Sequence, residues 1–149
     1  MTESARQNIL SPKLPEPGQS RINWSRLYGS ARSLAIANMA METQKPIIVV
    51  TADTISAVNL INELNVYIKE ASSIPIITFP DWETLPYDLF SPYQDIISER
   101  LQTLFNLHNI KQGILVVPVT TVMHRLLPSD YLFSNSLVLD VGESIKLED

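Results

Sequence analysis

The sequence contains no cysteine. It therefore offers neither disulfides nor a thiolate metal site, and its two histidines, His108 and His124, stand too far apart for a short ligand motif. Redox and zinc chemistry drop out. There is no apolar run near the ~20 residues needed to span a bilayer, and residues 1–18, polar and proline-rich, lack the apolar centre of an export signal. The expected location is the cytoplasm, with no membrane partner. Basic charge is scarce as well: 11 Lys and Arg against 16 Asp and Glu leave a formal net charge of -5, so the surface as a whole repels phosphate. Non-specific nucleic-acid binding by this chain is not expected.

What is present suits one domain of ordinary size, since 149 residues with 45% hydrophobic content can bury a real core. Pro12, Pro15, Pro17 and Gly18 mark residues 1–20 as a flexible or extended leader, and the domain is expected to begin near Arg21. Leu27, Ala31, Leu34, Ala35 and Met39 recur at helical spacing within 23–41, on a side rich in small alanines. Residues 46–51 form a short run of β-branched residues, the pattern of a strand buried on both faces. Asp53 or Thr54 then caps a helix carrying Ile55, Val58, Ile61, Leu64 and Ile68.

A second β-rich run covers 74–79, a proline-punctuated loop 80–92, a helix with Ile97, Leu101, Leu104, Phe105 and His108 on one face 95–110, and a third strand 114–119. A short helix over 120–127 ends at Pro128. Strands separated by helices predict a three-layer α/β fold, a parallel sheet with helices on both faces. Residues 21–135 make this domain, and 136–149, with Leu137, Val138, Leu139 and Val141, read as the opening strand of a second, incomplete one.

The stretch 79–101, FPDWETLPYDLFSPYQDIISERL, resembles the hallmark segment near the start of bacterial transcription-repair coupling factors (Mfd), and the likeness continues through 113–119 and 123–128. Asp81, Trp82, Glu83, Leu85, Pro86, Tyr87 and Asp88 are its signature loop. That family shares its N-terminal region with the excision-repair protein UvrB, whose first domain, helicase-like, opens on a phosphate-binding loop. The resemblance implies a UvrB-like domain at the start of an ATP-driven DNA translocase that displaces stalled RNA polymerase and recruits UvrA. The motor, the ATP and magnesium it uses, and the contacts with polymerase and DNA lie further along such proteins. UvrA is engaged mainly by the second domain.

A working phosphate loop reads G-x-x-x-x-G-K-S/T: glycines let backbone N–H groups close round the phosphates, lysine neutralises charge and the hydroxyl holds magnesium. Laid on residues 26–33, this pattern meets Arg26 at the first glycine, Ala31 at the second and Arg32 at the lysine, with Gly29 between; only Ser33 fits. β-Carbons on Arg26 and Ala31 oppose glycine-only torsions, and the guanidinium of Arg32 is larger than an ammonium and hydrated differently. The loop is thus degenerate, with no catalytic residue, metal or cofactor expected in this chain. UvrB's damage-probing hairpin would lie between Tyr87 and Ser98, where ten residues are too few for two strands that clasp DNA.

Trp82, Tyr87, Phe90 and Tyr93 allow the reading of a base-stacking surface, but Asp81, Glu83, Asp88 and Asp95 among them repel phosphate, so packing over the strand ends is preferred. The loop carboxylates follow a strand, where open sheets often place sites, yet capping and solvation suit them better. His108 reads as an edge-of-core residue, and His124 has no carboxylate at ligand spacing in the sequence. Asp95, Glu99 and Arg100 open a helix, Glu99 facing a residue one turn away. Two rivals stay open: a small P-loop-like nucleotide-binding hydrolase and a free-standing protein-interaction module.

Overall fold

The computed structural model describes residues 12–68, 74–84 and 87–136. Leu85 and Pro86 of the signature loop and the would-be strand that follows Ser136 lie outside the described residues. Eight elements follow one another: α1 (Ala31–Glu42), β1 (Pro46–Thr51), α2 (Thr54–Tyr67), β2 (Ile76–Thr78), α3 (Gln94–Leu107), β3 (Gly113–Pro118), α4 (Val119–Val122) and α5 (Ser129–Ser134). The three strands form a parallel sheet in the order β1-β3-β2, with Ile47 opposite Ile114 and Ile77 opposite Leu115. The expected α/β architecture is present.

Every residue of β3 is buried because the central strand has neighbours on both edges and helices over both faces. Ile114 and Val116 point into a cluster with Ile36, Ala37 and Ala40 of α1 and Leu60 and Leu64 of α2. Leu115 and Val117 point the other way, to Phe79, Ile77 and the α3 residues Leu104 and Leu107. Alternation along the strand thus builds a three-layer packing.

Several sequence expectations shift. The helix expected over 23–41 starts only at Ala31, because Arg26 (φ 62°) and Gly29 (φ 56°) adopt left-handed torsions that no α-helix accommodates. β1 is not buried on both faces: it is an edge strand whose outward residues Ile48 and Val50 are 66% and 52% exposed. In α2 the buried side runs through Ala57, Leu60 and Leu64, while Ile55 and Val58 face solvent. Apolar residues stand on more than one side of that helix, so periodicity alone did not single out its inner face. Pro12 is buried and the Lys13 carbonyl accepts a hydrogen bond from the Trp24 indole at 3.1 Å, so the described part of the leader touches the domain.

Asp53 is the cap of α2: its carboxylate accepts from the Ser56 backbone N–H at 2.6 Å, and this bond holds its pKa below the ordinary 3.8. At the other end of the sheet, Gln112 donates to the carbonyls of Ala40 and Thr43, both at 2.9 Å, satisfying groups that the end of α1 leaves open. Gly113 follows at once, and a β-carbon there would stand 3.0 Å from the Pro75 ring and 3.1 Å from the Pro75 carbonyl. That carbonyl accepts from the Ile114 N–H at 2.9 Å, so it cannot retreat without breaking the entry to β3. Gly113→Ala should therefore cost about 1–3 kcal/mol by overpacking, read as a lower urea midpoint at unchanged slope. An unchanged midpoint would show that the contact relaxes freely.

Candidate functional site

Two loops carry the residues of interest. The first precedes α1, where the left-handed torsion is taken by Arg26 itself, while Ala31 is simply the first helical residue. A β-carbon at position 31 therefore meets no torsional conflict, contrary to the expectation from the motif, whereas position 26 carries the strain that a glycine would avoid. Arg26 and Arg32, both exposed, line a hollow of about 510 Å³ with Trp24, Leu27 and the edge strand β1. Ser33, 1% exposed, turns inward and donates its hydroxyl hydrogen bond to the Glu63 carboxylate of α2. Nothing in the spacing of Ser33 and Glu63, thirty residues apart, announces that pair.

The second loop leaves β2 and is held by α3. Arg100, 3% exposed, lies over the Phe79 ring at 4.3 Å and the Trp82 ring at 4.1 Å, and it donates to the Pro80 carbonyl. Burial lowers the pKa of its guanidinium, and nearby Asp81 acts the other way. Asp81 accepts from its neighbour's N–H at Trp82 (2.8 Å) and from the Thr120 hydroxyl (2.7 Å), and its other contact is with His124 at 3.8 Å. Asp88 accepts from the Leu89 N–H at 2.8 Å, and Glu83 is exposed with φ 58°. None of these carboxylates caps a helix: Asp81 and Asp88 each accept the N–H of the next residue, Glu83 is solvated, and the fold supplies His124 with a carboxylate the sequence had not placed near it.

The other expectations for this region need correction. Trp82 packs, but Tyr87, Phe90 and Tyr93 do not cover the strand ends: Tyr87 is fully exposed with φ 72°, and the other two are largely so. Glu99 accepts from the Thr78 hydroxyl of β2 at 2.6 Å rather than pairing along its own helix. His108 is exposed and meets the Phe133 ring edge-on at 5.5 Å, and Phe105 packs on the same ring. The fully buried residues of α3 are Arg100 and Thr103, beside the partly buried Leu104 and Leu107 that pack on the sheet. Between Tyr87 and Ser98 the described chain has loop and the first turn of α3, with no strand. Among the described residues no group of three or more His, Cys, Asp or Glu is placed to hold a metal, and no helix is long and apolar enough to cross a membrane.

These features define a parallel α/β domain whose post-β2 loop is pinned by a buried arginine and whose pre-α1 loop holds Arg26 and Gly29 in left-handed torsions. No family model matches the chain. Comparison with curated proteins shows homology to transcription-repair-coupling factors. It is 44% identical over 141 residues to that of Haemophilus influenzae, covering 94% of this chain and 12% of the relative. Identity to the Escherichia coli factor is 36% over 128 residues (86% of this chain, 11% of the relative), and to the Bacillus subtilis factor 27% over 120 residues (80% and 10%). The chain thus spans 10–12% of the length of these relatives.

Proposed function

We propose that this chain is the N-terminal, UvrB-like domain of a transcription-repair coupling factor, residues 21–135, followed by the opening of a second domain, and that it serves as a non-catalytic scaffold. The whole protein would be an ATP-dependent DNA translocase of the cytoplasm that displaces stalled RNA polymerase and recruits UvrA. Homology to factors bearing that name supports the context. The observation that carries the non-catalytic reading is Ser33: the one residue that fits the phosphate-loop pattern is buried and bonded to Glu63. Arg32 stands where a lysine would reach the phosphates, so the residues present do not fit a magnesium-bound triphosphate.

Calorimetric titration of the chain with Mg-ATP should give no binding heat up to millimolar nucleotide. A micromolar dissociation constant would reverse the reading in favour of the rival, a small P-loop-like hydrolase. That rival draws its support from the hollow lined by Arg26 and Arg32. Scaffold and reader of DNA are separated by a second measurement. With a net charge of -5 and no strand between Tyr87 and Ser98, fluorescence anisotropy of single-stranded, duplex or lesion-bearing oligonucleotides should stay flat near physiological salt. A saturable, steeply salt-dependent curve would mean that the chain touches DNA itself.

A further inference from the structure

β1 is an outer strand of the sheet, and its ladder to β3 leaves one edge without a partner strand among the described residues. Which backbone groups face outward follows from β3. The Ile114 N–H donates to the Pro75 carbonyl and the Val116 carbonyl accepts from the Phe79 N–H, so these two residues serve the β2 side and Leu115 and Val117 serve β1. In a parallel ladder Leu115 and Val117 bond to the residues that flank their partners Ile48 and Val50. The N–H and C=O groups of Ile48 and Val50 therefore point away from the sheet, and the side chains of the same two residues are exposed.

Edge strands that stay unpaired are protected by charge, an inner proline, a bulge or shortness. The opposite edge fits that rule, since β2 has three residues, all partly buried. β1 has six, PIIVVT, with no charge and with its proline at the first position. Beside its bare edge lies the hollow lined by Arg26 and Arg32 with Trp24, Leu27 and the α1 residues Ile36 and Met39. Neither arginine meets a carboxylate among the described residues. Ile48 and Val50 point to the other face of the sheet, that of Leu115 and Val117.

We infer that the outer edge of β1 is a docking site for a partner polypeptide that adds a strand to the sheet, with alternate residues apolar on the face of Ile48 and Val50 and acidic on the face of Arg26 and Arg32. A row of outward N–H and C=O groups at strand spacing is matched as a whole only by another extended backbone. A nucleic acid or a free anion would face the arginines but leave those groups, and the two apolar side chains, in water. A second copy would bring the uncharged strand Pro46–Thr51 and no carboxylate for the arginines. Main-chain bonds supply the attraction, and the alternating side chains select the partner. Nothing in this docking depends on the assignment to transcription-repair coupling.

The test is a nitrogen-15 NMR titration of the whole chain with acetylated, amidated valyl-glutamyl-valyl-glutamyl-valine, its glutamine counterpart, the glutamate peptide methylated at every backbone nitrogen, and inorganic tripolyphosphate. The glutamate peptide should move the Ile48 and Val50 amides saturably, the glutamine peptide should bind several-fold more weakly, and the methylated peptide should leave both amides in place. Arg32→Gln should weaken the glutamate peptide several-fold and leave the glutamine peptide unchanged. Val50→Pro removes an outward N–H that no ladder bond uses, so the sheet tolerates it, and it should weaken both peptides as read at Ile48, with the amide spectrum as the check of folding. Absence of saturable shifts at Ile48 and Val50, equal binding of the methylated peptide, or an unchanged glutamate affinity in Arg32→Gln would overturn the proposal. Tripolyphosphate that moves these amides as the glutamate peptide does would give the edge to an anion, and a dimer of the free chain in sedimentation equilibrium that Val50→Pro dissolves would give it to a second copy; either result overturns the assignment to a partner strand.

Discussion

Replacing Arg100 by alanine is expected to lower the stability of the domain by about 3 kcal/mol. Two desolvated cation–π contacts are each worth up to about 2 kcal/mol and a charge-assisted hydrogen bond about 1.5–3 kcal/mol, so their plain sum would be larger. The sum is reduced because the guanidinium itself is costly to bury, which is why its pKa lies below the ordinary value. Arg100→Lys should recover less than half of the loss, since a tetrahedral ammonium cannot lie flat between the Phe79 and Trp82 rings. Urea unfolding followed by far-ultraviolet dichroism gives the free energy, and the near-ultraviolet signal reports Trp82. A loss below about 1 kcal/mol would mean that the stack orders the loop without stabilising the domain.

The order of strands and helices was readable because β-branched runs flanked by helical periodicity need no knowledge of their neighbours. Neighbours decide the rest. Ile48 and Val50 look the same in sequence as Val116 and Val117, and only the placement of β1 at the sheet edge leaves them exposed. The false helical turn over 23–30 arose from Leu27 and Ala31 falling in phase, while the torsions of Arg26 and Gly29 break the helix. At the candidate sites, sequence spacing placed Ser33 and the loop carboxylates but missed what each bonds to. Glu63 lies thirty residues from Ser33, Thr120 thirty-nine from Asp81, and Arg100 twenty from the carbonyl of Pro80. Such partners meet only through the topology. Arg100 was legible only as one of the charges that open α3, and no local signal marks it as the one that turns inward.

The same helix α2 that supplies Glu63 to Ser33 sets the largest core effect: Leu64→Ala should cost about 4 kcal/mol, in the upper part of the range for large-to-small changes. Leu64 is 0% exposed and belongs to the cluster formed by Ala37, Ala40, Ile114 and Val116. Opposite it, α1 presents alanines, which have no side-chain rotamers to swing into a void, and β-branched Ile114 and Val116 are stiff at χ1. The cavity therefore stays open, and the cavity cost adds to the lost transfer energy. Val66, two residues further along the same helix but 71% exposed, provides the control: Val66→Ala should change stability by no more than about 0.5 kcal/mol. Both are read from urea midpoints at equal slope. If Leu64→Ala lost less than about 2 kcal/mol, α1 would have to be free to close on α2, and the bond that keeps Ser33 against Glu63 would not be rigidly framed.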